Sequence, residues 1–405
     1  MSVDVRTRRD GAVEDVDAHT FLGEHLPAAL AAGADRIGPW VGGEALRPLT
    51  LVVDDTTVTL VGDEGRVVVR RGAGGEGVAV LHLTGDDLRE LVTDQVTPIG
   101  WMASGALRLE HGRLSDVLDW WLVLRAAIDG TSPHRRGDVD LVDADGGPLD
   151  LQRSFAADGD LEEMGAFLRS AGYLHVAGVF TEDEMAAVSA DMDRAAPRYA
   201  EGDGRSWWAR LHDGTSALVR MQGFAEESEV TAGLLADDRL TRFTGLTGDG
   251  HRPPTGTEAL FKPIGVTEGI SDIPWHKDCS LGRHSYMCSR MTVGISVTGA
   301  DATSGQLKVV AGSHRALVWP APDLRPGLDL PVVELATGTG DLTFHLSCTL
   351  HMAQPPVERP RRVLYTDMAL SPLDESAAAE GAARLRAIRE AAPVTVSQPA
   401  SAERG

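Results

Sequence analysis

Ile273-Pro-Trp-His-Lys-Asp-Cys279 is the stretch on which the reading of this chain turns. In an extended segment side chains alternate with a period of two, so His276 and Asp278 project from one face. An imidazole and a carboxylate so placed offer two adjacent ligands to a divalent metal. A third ligand from a distant strand would complete a facial set of two histidines and one carboxylate, with three coordination positions left open. A His-x-Asp pair alone recurs by chance, so the weight falls on what surrounds it.

Downstream, Gly338-Thr-Gly-Asp-Leu-Thr-Phe-His345 leads to Thr349-Leu-His351, and Arg359-Pro-Arg-Arg-Val-Leu-Tyr365 follows. His351 is the expected third ligand. His345 competes with it, but the spacing to the arginines suits His351 better. An arginine on the next strand can grip a carboxylate with two parallel hydrogen bonds. Arg361 and Arg362 are neighbours on that strand and point to opposite faces, so only one can serve. Between these blocks, Ser304-Gly-Gln-Leu-Lys-Val-Val-Ala-Gly-Ser-His-Arg315 reads as a strand running into a tight glycine turn, with His314 a structural turn residue. Cys279 and His284 flank the site with no assigned role, and Cys279 reads as packing.

The segment Leu161-Glu-Glu-Met-Gly-Ala-Phe-Leu-Arg-Ser-Ala-Gly-Tyr-Leu174 adds a helix ended by Gly172 and a strand from Tyr173. Thr181-Glu-Asp-Glu184 begins another helix with the pattern of a capping box. Taken in this order, the helix–Gly-Tyr–strand unit, the Trp-His-x-Asp, the Gly-Ser-His turn and the Gly-Asp…His…Arg resemble the phytanoyl-CoA dioxygenase family. The resemblance implies a mainly-β double-stranded β-helix (jelly roll) with flanking helices, using Fe(II), 2-oxoglutarate and O2 and releasing succinate. Carried onto this chain, it makes His276, Asp278 and His351 the metal ligands. Family spacing from the distal histidine favours Arg362 as the 2-oxoglutarate anchor, whereas the Arg-Pro-Arg-Arg-aliphatic pattern favours Arg361, which is preferred. The family's usual Ser and Asn after that histidine are Ala353 and Pro356 here. Lys262 stands where the family often carries a lysine facing the co-substrate. Relatives that halogenate lack the carboxylate ligand, so Asp278 points to hydroxylation or a related C–H oxidation such as desaturation or ring formation.

The rest of the chain bounds the function. Its 405 residues carry a net charge of -22, with 38 basic and 60 acidic side chains. That balance argues against a nucleic-acid or anionic-membrane surface. Three lysines (Lys262, Lys277, Lys308) stand among those 38 basic residues, which reflects codon composition more than chemistry. Cys279, Cys288 and Cys348 show no CxxC spacing, so a reducing, cytoplasmic setting is expected. Met1-Ser-Val-Asp-Val-Arg6 has no apolar run, so no signal peptide is expected, and with nowhere 18 consecutive apolar residues no membrane span is expected.

The turn-rich stretch near residues 130–150 divides the chain. The expected domains are residues 1–130, a linker at 131–150, an oxygenase domain at 151–372, and a C-terminal helix and tail at 373–405. In the first, residues 49–69 are dense in β-branched side chains with turns at Asp54-Asp55 and Gly62-Asp-Glu-Gly65, and residues 78–83 add a strand. Helices follow from Thr84 and over residues 114–128. This α+β order is similar to the sterol-carrier-protein fold, in which a five-stranded sheet and helices enclose an apolar tunnel. Trp101, Met102, Trp120 and Trp121 could line such a tunnel around a lipid or acyl ligand, or be core aromatics. The expectation is therefore an oxygenase acting on a lipophilic or carrier-bound small molecule, in secondary metabolism by analogy. Trp207, Trp208, Arg220 and Trp275 are its candidate substrate-pocket residues. The alternative is a non-catalytic lipid-binding protein with a degenerate oxygenase domain.

Overall fold

The structure, a computed structural model, describes residues 15–391 except 270, 272, 280–289 and 321. His284, Cys288, the opening six residues and the tail beyond residue 391 lie outside the described residues.

The β-branched run becomes a meander. β1 (Leu49–Val53), β2 (Thr56–Asp63), β3 (Arg66–Arg71), β4 (Ala79–Leu83) and β5 (Arg108–His111) form a sheet in the order β3-β2-β1-β4-β5. β1 and β4 run parallel and the other neighbours antiparallel. The β2–β3 turn places Glu64 and Gly65 at φ 45° and 78°, the left-handed pair that a two-residue hairpin needs. Thr84 and Asp87 close a capping box on helix Gly85–Val92. Helix Leu114–Asp129 buries Val117, Leu118, Trp120 and Trp121 in the same core as Leu49, Leu51 and Val53. Trp101 joins that core, but Met102 does not: it is 39% exposed and lines no interior space.

The remaining strands are β6 (Phe155–Ala156), β7 (Tyr173–Ala177), β8 (Ser206–Leu211), β9 (Ser216–Met221), β10 (Glu258–Lys262), β11 (Val266–Glu268), β12 (Arg290–Ser296), β13 (Leu307–Val310), β14 (Val332–Leu335), β15 (Leu342–Leu346), β16 (His351–Ala353) and β17 (Arg361–Ala369). They form a nine-stranded sheet, β11-β8-β9-β10-β17-β12-β15-β7-β6, and a three-stranded one, β14-β13-β16. Period-two alternation splits the large sheet into unlike faces. Met291, Val293, Ile295, Phe344, Leu364 and Met368 share a core with Met185, Val188 and Met192 of helix Glu182–Ala195 and with Phe243. The opposite face carries Lys262, Thr292, His345 and Arg361, the polar row on which the site is built.

Two close contacts hold the site's supports. Gly172 ends helix Leu161–Ala171 at φ 85°, and a Cβ there would lie 2.3 Å from Nδ1 of His314, so the glycine makes room for the Gly-Ser-His turn. His314 donates from Nε2 to the Arg169 carbonyl at 3.0 Å, as befits a turn residue.

The two halves are tied together by the segment after that turn. Leu317 and Trp319 enter the N-terminal core, while Ala316 and Val318 face a small cluster with Val310, Leu330, Leu350 and the half-buried Trp275. The Trp319 indole donates to Asp119 at 3.0 Å, and Arg325 reaches Asp119 and Glu44 at 3.4 and 2.6 Å. Burial pushes the Asp119 carboxyl above its ordinary value, with Arg325 opposing. Residues 131–150 are laid against the same segment: Pro133 bridges Leu317, and His134 pairs with Asp329 at 2.7 Å. Helix Glu375–Ala391 returns to the N-terminal half, packing on helix Pro98–Ser104 and pairing Arg384 with Glu90. Among the described residues no helix is long and apolar enough to cross a membrane.

Candidate active site

The segment carrying His276 and Asp278 is not a regular strand. His276 forms an isolated bridge with His351, each residue's N–H donating to the other's carbonyl at 2.9 Å, and the chain then turns through Asp278. The bridge, more than strand periodicity, brings the two imidazoles together, with ring centroids 4.1 Å apart. Asp278 Oδ1 lies 3.5 Å from His276 Nε2 and 3.3 Å from His351 Nε2. One ligand atom from each of the three residues falls within 4.8 Å of the others. Neighbouring ligands on bonds of roughly 2.1 Å would sit about 3 Å apart, so the spacing fits one small divalent ion.

The tautomers agree with that use. His276 donates from Nδ1 to the Pro274 carbonyl at 2.7 Å and His351 from Nδ1 to the Thr349 carbonyl at 3.0 Å. A carbonyl only accepts, so each Nδ1 carries the hydrogen and each Nε2 presents a lone pair. Burial and the neighbouring His351 lower the His276 pKa. Burial alone would raise the Asp278 carboxyl, but His351, His276 and His345 outweigh it and hold it well below the carboxylate range.

His345 lies in the same cluster, its ring 4.1 Å from that of His351 and its Nε2 3.2 Å from Asp278 Oδ2. Thr292, on the neighbouring strand, donates to that oxygen at 2.6 Å. Sequence reasoning weighed His345 only as a rival ligand and missed Thr292; a lone threonine in Arg290-Met-Thr-Val-Gly carries no signal of its partner.

Strand register separates the two arginines. Arg361 pairs with Lys262 across β17 and β10, which puts both on the polar face. Arg361 is 5% exposed, and its Nε and Nη2 have no hydrogen-bond partner among the described residues. Lys262, also buried, donates to the Gln354 carbonyl at 3.2 Å. Arg362 faces the other way, where Asp193 (2.7 and 2.9 Å) and Ser189 (2.8 and 2.9 Å) on helix Glu182–Ala195 take up its guanidinium. Arg362 thus ties a helix to the sheet, on the face opposite Lys262 and Arg361.

The candidate substrate residues divide as well. Trp207 and Arg220 face each other across β8 and β9 on the polar side, the guanidinium 4.3 Å from the indole ring. Arg220 is ion-paired with Glu258. The Trp208 indole turns to Ser206 Oγ at 2.9 Å. Trp275, half-buried, packs against the small cluster that holds Val318 and Leu350. Cys279 packs against the main core and its thiol points to the Ser347 carbonyl at 3.5 Å.

Residues 168–363 match the family model for phytanoyl-CoA dioxygenase (PhyH). Solved structures with similar backbones include AviO1 from Streptomyces viridochromogenes Tue57, at 20% identity over 52% of this chain and 96% of that one, TM-score 0.40. The non-heme alpha ketoglutarate dependent epimerase SnoN from nogalamycin biosynthesis is 21% identical over 51% of this chain and 81% of its own, TM-score 0.41. EctD from S. alaskensis in its apoform is 17% identical over 59% and 84%, TM-score 0.43. No curated protein sequence matches the chain.

Proposed function

We propose, for a chain whose residues 168–363 form a phytanoyl-CoA dioxygenase family domain, an Fe(II)- and 2-oxoglutarate-dependent oxygenase that oxidises a C–H bond of a small molecule. The observation that carries this reading is the pairing of a three-ligand cluster with a buried guanidinium whose Nε and Nη2 are unspoken for. His276 and His351 would hold iron through Nε2 and Asp278 through Oδ1. Iron bound there, with 2-oxoglutarate and O2, supplies the oxidising power for the C–H bond.

This chain's own residues do the positioning. Arg361 would receive the far carboxylate of 2-oxoglutarate on its open donors, a charge-assisted bond that repays the burial of the guanidinium. Lys262, in register beside it, adds positive charge to the same end of the pocket. Trp207 and Arg220 lie on the same face and suit the substrate side. Hydroxylation, or a related oxidation, is favoured because Asp278 fills the ligand position that a halide would need.

We extend the reading to a lipophilic or carrier-bound substrate. The N-terminal half has the strand number of a sterol-carrier-like fold, and Trp101 and Trp121 keep buried indole N–H groups without a partner among the described residues. Trp120, whose indole donates to the Arg47 carbonyl at 2.6 Å, supports the fold alone.

Adding Fe(II) and 2-oxoglutarate without oxygen should produce a weak visible charge-transfer band, and admitting oxygen should release succinate. No band and no succinate would leave a non-catalytic binding protein. Succinate-coupled mass spectrometry across lipid, acyl-thioester and polycyclic candidates then tests the substrate class.

A further inference from the structure

Three imidazoles surround Asp278, and their backbone partners sort them. His276 and His351 each spend Nδ1–H on a carbonyl two residues earlier in the chain, leaving Nε2 bare. Among the described residues His345 has no such carbonyl: its buried Nδ1 has no hydrogen-bond partner there. Its Nε2 faces a carboxylate oxygen, which only accepts, so the hydrogen must sit on Nε2. A ring nitrogen that carries a hydrogen cannot ligate a metal.

The carboxylate is sorted in the same way. Oδ2 receives Thr292 Oγ1 at 2.6 Å and His345 Nε2 at 3.2 Å, from adjacent strands paired Thr292 to His345. Oδ1 instead faces the two bare Nε2 atoms, at 3.3 and 3.5 Å. Two donors on one oxygen occupy its lone pairs and fix the carboxylate's rotation.

We propose that His345 and Thr292 are positioning residues that hold Asp278 as a one-oxygen ligand, with His345 a hydrogen-bond donor and not a ligand. A carboxylate free to swing could bind through both oxygens and occupy one of the three positions that co-substrate and oxygen need. This inference rests on the metal-site reading above and refines it.

The test uses the full chain and Co(II) alone, followed by visible absorption, whose intensity reports coordination number. Glutamine can present an N–H where Nε2 of histidine does, so His345→Gln should bind Co(II) within about threefold of wild type with the same spectrum. His345→Leu and Thr292→Val should each weaken Co(II) about 10- to 100-fold, the range for outer-shell partners, and alter the spectrum. Thr292→Val is nearly isosteric and carries the test if His345→Leu does not fold. Loss of Co(II) from His345→Gln as complete as from His351→Gln would make His345 a ligand and overturn the proposal. Wild-type affinity and spectrum in both His345→Leu and Thr292→Val would reduce the pair to core packing. A wild-type protein that takes no cobalt overturns both readings, whereas cobalt binding without the Fe(II)–2-oxoglutarate band overturns only the oxygenase.

Discussion

Arg125 sits in the N-terminal core with Nη1 on the Leu91 and Val92 carbonyls, at 2.6 and 3.2 Å, and its other nitrogens on Asp129. Arg361 is buried in the larger half with Nε and Nη2 unpartnered among the described residues. The two side chains cost comparable desolvation, yet only the first is repaid within the fold. A buried charge with its donors engaged is a structural member. One with donors held open is a standing expense to stability that a ligand can offset.

The sharpest test of this contrast is to remove each charge. Arg125→Leu strands Asp129 and two carbonyls, so urea unfolding should show a loss of about 3–5 kcal/mol with the KM for 2-oxoglutarate unchanged. Arg361→Leu should do the reverse. Its unfolding free energy should hold or rise, while that KM climbs roughly 10- to 100-fold, the value of a charge-assisted hydrogen bond of about 1.5–3 kcal/mol. If Arg361→Leu unfolds as readily as Arg125→Leu, the contrast breaks.

Next in size is the seam between the halves. Trp319→Ala empties a buried ring site in the N-terminal core and frees Asp119, so a loss of about 3 kcal/mol is expected. Because the same segment places Val318 beside Trp275, Co(II) affinity should fall too; an unchanged affinity would make the halves energetically separate. Arg362→Ala should cost no more than about 1 kcal/mol, since its pair with Asp193 is partly exposed, and should leave the KM for 2-oxoglutarate unmoved. The smallest effect concerns Glu184, held down to about 2 by Arg239 and the Thr181 N–H. A carboxylate lowered on folding stabilises above its unfolded pKa and loses that contribution as pH falls toward the folded one. The stability gap between wild type and Glu184→Gln should therefore be full at pH 6 and shrink between about pH 4.5 and 2.

Much of this was legible wherever local chemistry decides. The capping-box pattern at Thr181, the glycine stop at Gly172 and the β-branched run of residues 49–69 all read directly into elements. So did the meeting of His276, Asp278 and His351, although through a bridge and not a strand. What stayed hidden depends on partners far along the chain. The choice between Arg361 and Arg362 needs the β10–β17 register and a helix 169 residues away from Arg362. The state of His345 needs the absence of a carbonyl at Nδ1, which no motif encodes. Trp275 reads only as a candidate pocket aromatic, and its packing on the cluster of Ala316 and Val318 comes from a segment some 40 residues on.

That same segment has a consequence for synthesis. The core of the N-terminal half takes in Leu317 and Trp319, and translation delivers them nearly 190 residues after helix Leu114–Asp129 is complete. At about 5–20 residues per second the nascent half waits roughly 10–40 seconds with a gap in its interior. The order of emergence from the ribosome thus makes the finished N-terminal half a product of the whole chain.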